Sequence, residues 1–298
     1  MSFKSLILQL GKKLPYVRSV IEKYEGEILD LRMALVKQAY PELRQEADYI
    51  LQNGWVMYPY RALSAPSEVK SGYDREMRLP FVMHRDKKLF FPKSYSEAKC
   101  RQSYYSLTQS DCILGGKYME KQPHQYQSET FKIEKGDVLA DVGCAEALLT
   151  LDKIDDVERA YLFEGDSKWM PALQATFRDY MDKVVIINKF VANKDSNSTI
   201  TLKTALKDVS DKKVFIKMDI EGAEVEVLKD SKGFLSSSQN IRLACCTYHH
   251  QADADLMVAL YDEMGYQHEF SEGYMYFKAY DSRFLFPYFR HCVLRGWK

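Results

Sequence analysis

Residues 136–146 read Gly-Asp-Val-Leu-Ala-Asp-Val-Gly-Cys-Ala-Glu, and they constrain this chain more than any other stretch. Val138, Leu139, Ala140 and Val142 form a short apolar run with one carboxylate, Asp141, near its end. Such a run suits a strand buried on both faces of a parallel sheet. Gly143 follows, with small residues at Ala145 and Ala147, and Leu148, Leu149 and Leu151 then open a helical pattern. Strand, tight turn and helix start make the first unit of a nucleotide-type α/β fold, in which small residues let backbone N–H groups approach a ligand closely. Many βα turns contain one glycine, so the assignment rests on the later elements and their spacing.

Downstream of this unit the alternation is regular. Strands are expected at 159–163, 184–187, 214–218 and 241–247, with helices at 167–181, 225–234 and 252–264 between and after them. A small edge strand is expected at 199–202. Two β-like runs, 266–270 and 274–279, flank Ser271-Glu272-Gly273 and read as a closing hairpin. The pattern is α/β: a doubly wound parallel sheet finished by a terminal antiparallel hairpin.

Upstream lies an extension. Phe3, Ile7, Leu10, Leu14, Val17, Ile21, Tyr24, Ile28, Leu31 and Leu35 alternate steps of three and four, a heptad-like stripe interrupted by Gly11 and Pro15. Pro15 fits the first turn of a helix over 15–39, which Pro41 ends. The stripe packs either on its own chain or on another subunit, which would make a homo-oligomer through the amino-terminal helices. A helix is expected at 42–51, then an aromatic stretch with Trp55, Tyr58, Tyr60 and Tyr73. Two strands, 78–82 and 88–92, should flank Arg85-Asp86-Lys87, with a helix over 96–121 after them. The domain division read from this is 1–40 for amino-terminal helices, 41–125 for a cap on the acceptor side, and 126–298 for the ligand-binding domain.

Charge and cysteine usage exclude several classes. Forty-two basic and 42 acidic residues cancel, which argues against a general nucleic-acid binder. No apolar run approaches the ~18 residues of a membrane helix, and the first residues lack the apolar core and cleavage site of a secretory leader. The basic early residues (Lys4, Lys12, Lys13, Arg18, Lys23) leave peripheral contact with a membrane surface open. Cys100, Cys112, Cys144, Cys245, Cys246 and Cys292 show no paired spacing and read as reduced thiols of a cytoplasmic protein.

In a doubly wound sheet, ligands bind outside the carboxyl ends of the strands. Four polar clusters fall there: 141–147, 164–166, 219–224, and His249 with His250. Glu164 closes the second strand about 20 residues past the first turn, where an acid accepts ribose hydroxyls. A dinucleotide and S-adenosylmethionine both use such an acid. Ala145, Glu146 and Ala147 stand where a pyrophosphate wants glycines, and Glu146 would repel a phosphate while tolerating a cationic sulfonium. These features favour S-adenosylmethionine over a dinucleotide, and the residues placed to hold such a ligand are Asp141, Gly143, Cys144, Ala145, Glu146, Glu164, Gly165 and Asp219. His124 and Tyr126 read either as a lid over the ligand or as an ordered loop packed on the sheet.

Residues 215–224, Phe-Ile-Lys-Met-Asp-Ile-Glu-Gly-Ala-Glu, closely resemble the signature of the FkbM-type methyltransferases. Asp141-Val142-Gly143, Phe163-Glu164, Cys246-Thr247-Tyr248-His249 and Met264-Gly265-Tyr266 fall in that family's order. The resemblance spans about 122–298 and is closest to a bacterial subgroup found with surface-polysaccharide genes, whose carboxyl end reads much like Pro287-Tyr288-Phe289-Arg290. It departs at Ala147, where the family usually has glycine; the extra methyl either crowds the cofactor or stiffens the helix start.

The resemblance implies a Rossmann-like class I methyltransferase sheet and methyl transfer to a hydroxyl of a sugar or glycolipid acceptor. A sugar hydroxyl is a poor nucleophile, so a base helps, typically by ~10²–10⁴-fold. His249 is the expected base because its ordinary pKa lies near neutrality. Asp219 or Glu221 would orient it, and Lys217 would pair with one of them. His250 is the alternative base, otherwise a capping residue, and Glu224 reads as a first-turn helix acid. Asp219, Glu221 and His249 could supply hard ligands to a divalent metal, but no spacing fixes a coordination geometry, so no metal is expected. The aromatics of 55–126 and the basic tail 283–298 read either as the frame of an acceptor groove or as core tyrosines with a solvated tail. A second reading is a methyltransferase-like module without turnover, serving an assembly through its first helices. A third is a nucleotide-dependent oxidoreductase.

Overall fold

The computed structural model describes residues 15–54, 66–110, 123–209, 211–276 and 286–298. Stripe positions 3–14, Trp55, Tyr58, Tyr60, residues 111–121 of the expected third helix, residues 277–279 and Arg283 lie outside the described residues. Contacts divide the chain into two units, Met1–Pro59 with Tyr276–Phe289, and Tyr60–Met275 with Arg290–Lys298.

In the first unit the long helix α1 (Pro15–Ala39) begins at the proline, which needs no N–H partner at a helix start. A short turn at Pro41–Leu43 leads into α2 (Arg44–Asn53). Met33 and Val36 of α1 and Ala47 and Ile50 of α2 are buried where the two helices pack.

The second unit opens with an antiparallel sheet of β1 (Ser71–Asp74), β2 (Leu79–His84) and β3 (Lys87–Phe90). The sequence pattern missed β1, whose four residues carry almost no apolar signal. Helix α3 (Glu97–Ser110) packs against β2.

The central sheet comes next in the chain. Its first half is β4 (Val138–Val142), α4 (Leu148–Lys153), β5 (Arg159–Phe163), α5 (Met170–Thr176) and β6 (Val184–Ile187). A parallel two-residue pair, β7 (Phe190–Val191) and β8 (Thr199–Ile200), and a short α6 (Leu202–Ala205) stand outside it. The second half is β9 (Val214–Met218), α7 (Glu224–Ser237), β10 (Ile241–Cys246), α8 (Asp253–Glu263) and β11 (Gln267–Phe270). After β12 (Met275–Tyr276) and β13 (Phe289–Arg290), which pair with each other, comes β14 (Val293–Trp297).

The seven strands run in the order β11-β14-β10-β9-β4-β5-β6. All are parallel except β14, which is antiparallel to both β10 and β11. Every residue of β4 and β9 is buried, as strands at the centre of a two-faced sheet must be. The expected α/β sheet with an antiparallel close is therefore present, but the partner strand differs. Residues 274–279 were expected to turn back on β11; instead Leu294 pairs with Phe270 and Trp297 with Gln267. The carboxyl tail is thus an inner strand. Val293 and Leu294 are fully buried, and buried Arg295 meets Glu269 at 3.2 Å and the carbonyls of Gln125 and Gln127. Arg295 is therefore not part of a solvated tail.

One buried polar link fixes α4 behind its turn. The His84 ring has Tyr104 Oη 2.9 Å from Nδ1 and Asp152 Oδ1 3.0 Å from Nε2, and Arg85 meets the same carboxylate at 2.8 Å.

Candidate active site

Parallel register sets Asp141 of β4 beside Lys217 of β9. The pair is almost fully buried: Lys217 Nζ lies 3.1 Å from Asp141 Oδ1 and donates to the Gly143 carbonyl at 2.8 Å. Thr150 donates to the other Asp141 oxygen at 2.8 Å. Burial alone would lower the Lys217 pKa, but the charges of Asp141 and Asp219 outweigh it and hold the ammonium on. Lys217 therefore clamps two strand ends from beneath; of the two acids its sequence position offered, Asp219 contributes its charge, while the direct contact is with Asp141.

Above this clamp the β4 turn is drawn tight. Gly143 has φ +72°, and a Cβ there would lie 1.9 Å from the Asp219 carbonyl oxygen, so only glycine fits. Ala145 (φ 46°) and Ala147 (φ 59°) also sit in the left-handed region, which L-residues occupy at a cost. The Ala147 methyl is buried at the start of α4, so the position the family gives to glycine keeps a glycine backbone. Cys144 is buried, and burial pushes its thiol pKa well up.

Glu164, half buried at the end of β5, braces the turn. It accepts the Ala145 N–H at 3.0 Å and the Asp166 N–H at 2.7 Å, one on each oxygen. Each carboxylate oxygen keeps a further lone pair for an outside donor. Beside it the ring of Phe190 lies against Gly165, where a Cβ would meet the ring at 2.3 Å, yet Phe190 is 56% exposed. The sequence reading missed Phe190. The signal was a large aromatic just past a strand end, in Asn188-Lys189-Phe190.

The β9 end is built from side chains. Asp219 receives hydroxyls from Tyr126 at 3.2 Å and Tyr248 at 3.3 Å, with His249 Nε2 at 3.4 Å and His124 Nε2 at 3.6 Å. Burial alone would raise its pKa; the His124 hydrogen bond and the charges of His124, Lys217 and His249 instead hold it far below the usual carboxylate range. His124 and Tyr126 are themselves buried and joined at 2.7 Å, with Cys246 Sγ 3.4 Å from the same His124 nitrogen. They pack on the sheet.

Glu224 is fully buried. Its oxygens accept the N–H groups of Ile220 and Gly222 at 2.7 and 2.9 Å, and His249 Nδ1 lies 3.2 Å from Oε1. Burial would lower the His249 pKa, but the hydrogen bond and charge of Glu224, then the charges of Asp219 and Glu221, raise it. The carboxylate behind the histidine is thus Glu224, which the sequence reading assigned to the helix start. Its spacing four residues after Ile220 was the available clue. The Glu221 side chain is 94% exposed and 3.7 Å from His249 Nε2, on a backbone with φ 58°. Glu146, half buried, belongs to the β4 turn. His250 is exposed; its N–H donates to Asp253 at the start of α8, and its ring Nδ1 lies 3.3 Å from the same carboxylate.

Two clusters have metal-type ligand atoms within 4.8 Å of one another, His124–Asp219–Cys246 and Asp219–Glu224–His249. Both share Asp219. In the first, burial pushes the Cys246 thiol well above its ordinary pKa, which favours the protonated, poorly ligating form. In the second, each Glu224 oxygen accepts one backbone N–H and keeps a further lone pair, as at Glu164.

No described helix is long and apolar enough to cross a membrane. No curated protein sequence matches this chain. Among solved structures, similar ones include precorrin-6y C5,15-methyltransferase from Geobacter metallireducens GS-15, 16% identical, with 55% of this chain and 82% of that one covered and a TM-score of 0.37. TrmK from M. capricolum, in complex with the cofactor product S-adenosylhomocysteine, is 14% identical, covering 55% of this chain and 62% of that one, with a TM-score of 0.33. Magnesium protoporphyrin IX methyltransferase from Synechocystis PCC 6803, with bound S-adenosylmethionine, is 12% identical, covering 55% and 71%, with a TM-score of 0.36. The model of the methyltransferase FkbM domain matches residues 112–284, more than half of the 298. With the turn after β4, the acid closing β5 and the acids closing β9 all inside that match, the chain belongs to the FkbM methyltransferase domain family.

Proposed function

We propose that this protein is a cytoplasmic S-adenosylmethionine-dependent O-methyltransferase acting on a hydroxyl of a sugar or glycolipid precursor of a bacterial surface polysaccharide. The observation that carries the reading is His249 set between buried Glu224 and ionised Asp219, on the same strand-end edge as Glu164.

The donor set suits the cofactor. Glu164 has lone pairs left for a ribose diol, Phe190 offers an exposed ring face to a purine, and Asp219 sets a negative charge where a sulfonium would be stabilised. The cation nearest the β4 turn, Lys217, is taken up by Asp141 and the Gly143 carbonyl, which leaves the turn suited to a cationic ligand and unsuited to a pyrophosphate. When bound, S-adenosylmethionine supplies an electrophilic methyl group.

The chain's own residues then have three tasks. Glu164 and the backbone of 143–147 fix the ligand's orientation, and positioning is most of what an in-line displacement needs. Glu224 keeps a proton on His249 Nδ1 and so leaves Nε2 to take the proton of the acceptor hydroxyl. Asp219 steadies the imidazolium that results. The sugar class rests on the resemblance at Pro287-Tyr288-Phe289-Arg290 to the polysaccharide-associated subgroup.

Calorimetry with S-adenosylmethionine and S-adenosylhomocysteine tests the first half; absence of heat with both marks a scaffold without turnover. Incubation with candidate glycan precursors, read by mass spectrometry for the gain of one methylene, tests the second. His249→Ala should lower turnover ~10²–10⁴-fold with cofactor affinity nearly intact. An unchanged rate assigns the base elsewhere.

A further inference from the structure

Helix α1 carries two apolar faces. Met33 and Val36 are buried within the first unit. Tyr24, Ile28, Leu31 and Leu35 are 61%, 45%, 64% and 47% exposed. At 3.6 residues per turn the two sets point roughly 140° apart. Single exposed apolar residues need no explanation, but four in one row on one helix do.

The row steps by four, three and four, the spacing of a coiled-coil seam. Ile28 and Leu35 take the a positions, Tyr24 and Leu31 the d positions. In the sequence the same register continues back through Ile21, Val17, Leu14, Leu10, Ile7 and Phe3. Where this register holds along a helix, every turn of the seam offers the same surface, so the face is complementary to itself.

We propose that a second copy of this chain covers the row, with α1 pairing on α1 as a parallel two-stranded coiled coil. Two observations choose that occupant. Ile28 at a with Leu31 at d is the side-chain choice that favours two parallel strands. The flanking charges agree: Glu27 falls at g and Arg32 at e, and a parallel pair sets each g residue against the e residue of the next heptad on the other helix. Glu27 of each copy thus meets Arg32 of the other, once on each side of the seam. Glu27 now faces Lys23 at 3.8 Å in an exposed pair of small worth, readily exchanged. Arg32 lies 5.4 Å from the Tyr288 ring and keeps donors at its guanidinium edge. Lys23, Glu27, Asp30 and Arg32 mix both signs around the row, which disfavours an anionic lipid surface as the occupant.

The test is the mass of the full chain by analytical ultracentrifugation, a readout independent of any enzymatic activity. The wild type should sediment as a dimer that dissociates on dilution. Ile28→Glu with Leu31→Glu should halve the mass and leave circular dichroism unchanged, with a melting transition equal to that of the wild type diluted to its monomer, because both side chains are exposed. Glu27→Arg should weaken the dimer, and adding Arg32→Glu should restore it. Leu31→Cys should cross-link copy to copy on oxidation, as a parallel register requires. A wild-type monomer at ~100 µM would overturn the proposal, being far above the ~1 µM at which a stable pairing forms. So would a double variant that melts earlier at unchanged mass, which would mean the chain covers the row itself. A monomer that co-sediments with anionic vesicles only when the row is intact would overturn it too, assigning the face to a membrane.

Discussion

The turns after β4 and β9 stand side by side, begin at adjacent parallel strands, and solve opposite problems. The β4 turn, 143–147, is made of backbone: one glycine and two alanines in left-handed conformations, braced by Glu164. The β9 turn, 219–224, is made of side chains: Asp219 ringed by two hydroxyls and two imidazoles, and Glu224 buried behind His249. The first can grip a ligand whose own charge it must not oppose. The second can hold and move a proton. They are not independent, since Lys217 starts in β9 and ends on the Gly143 carbonyl. Backbone shape and side-chain charge are therefore adjusted against each other at one seam.

Cutting that seam should have the largest effect. Lys217→Met leaves Asp141 buried without its cation, and losing one partner of a buried pair costs ~3–5 kcal/mol. Urea unfolding measures it; a loss below ~1 kcal/mol would mean that the turns stand without the clamp.

Distorting the backbone turn alone should come next. Gly143→Ala forces a Cβ toward the Asp219 carbonyl at a positive φ, and strain of ~1–2 kcal/mol with overpacking of ~1–3 kcal/mol sum to roughly 2–5 kcal/mol. Ala147→Gly is the contrast within the same turn. Relief of left-handed strain, ~1–2 kcal/mol, is offset by greater unfolded-chain entropy, ~0.4–1 kcal/mol, and a lost buried methyl, so the net change should stay within ~1 kcal/mol. Equal losses for the two variants would deny that the β4 turn is set by backbone shape.

The smallest effects separate the two glutamates of the β9 turn. Glu224→Gln removes the charge behind His249 and turns an amide NH2 toward the N–H of Ile220 or Gly222, so a loss of ~1–3 kcal/mol in stability should accompany a roughly tenfold loss of rate. The pH profile fixes the sign. A base must be neutral, so activity should rise with pH through the His249 pKa, which lies above its ordinary value. Without the Glu224 charge the proton leaves more easily, and the midpoint should move down toward the ordinary value of ~6.5. Glu221→Gln, at a 94% exposed side chain, should change the rate less than threefold, in line with surface changes of ~0.5 kcal/mol, and move the midpoint less. If Glu221→Gln moves the midpoint more, the carboxylate assignment is reversed.

How far the sequence could be read depends on the range of the interactions involved. The buried strands β4, β5, β9 and β10 were legible because a strand covered on both faces must be apolar throughout. Helix α1 was legible from Pro15 and a repeating stripe, both local signals. The partner of β11 was not. Residues 274–279 lay nearer in sequence, but Val293 and Leu294 had an inner sheet position to fill, and pairing is decided by burial across the sheet. The direct partner of Lys217 was hidden for a related reason: Asp141 lies across a parallel register that no local pattern encodes. The role of Glu224 needed the fold to bring His249 from the end of the next strand.

By itself, then, the sequence determined the α/β alternation, the small-residue turn and the edge on which the polar residues gather, since periodicity and residue size act along the chain. Only the tertiary structure decided which carboxylate backs the histidine, what holds Lys217, and which strand lies between β10 and β11. Those outcomes depend on distances between groups far apart in sequence. In the buried interior a charge or an open strand edge is tolerated only beside its partner.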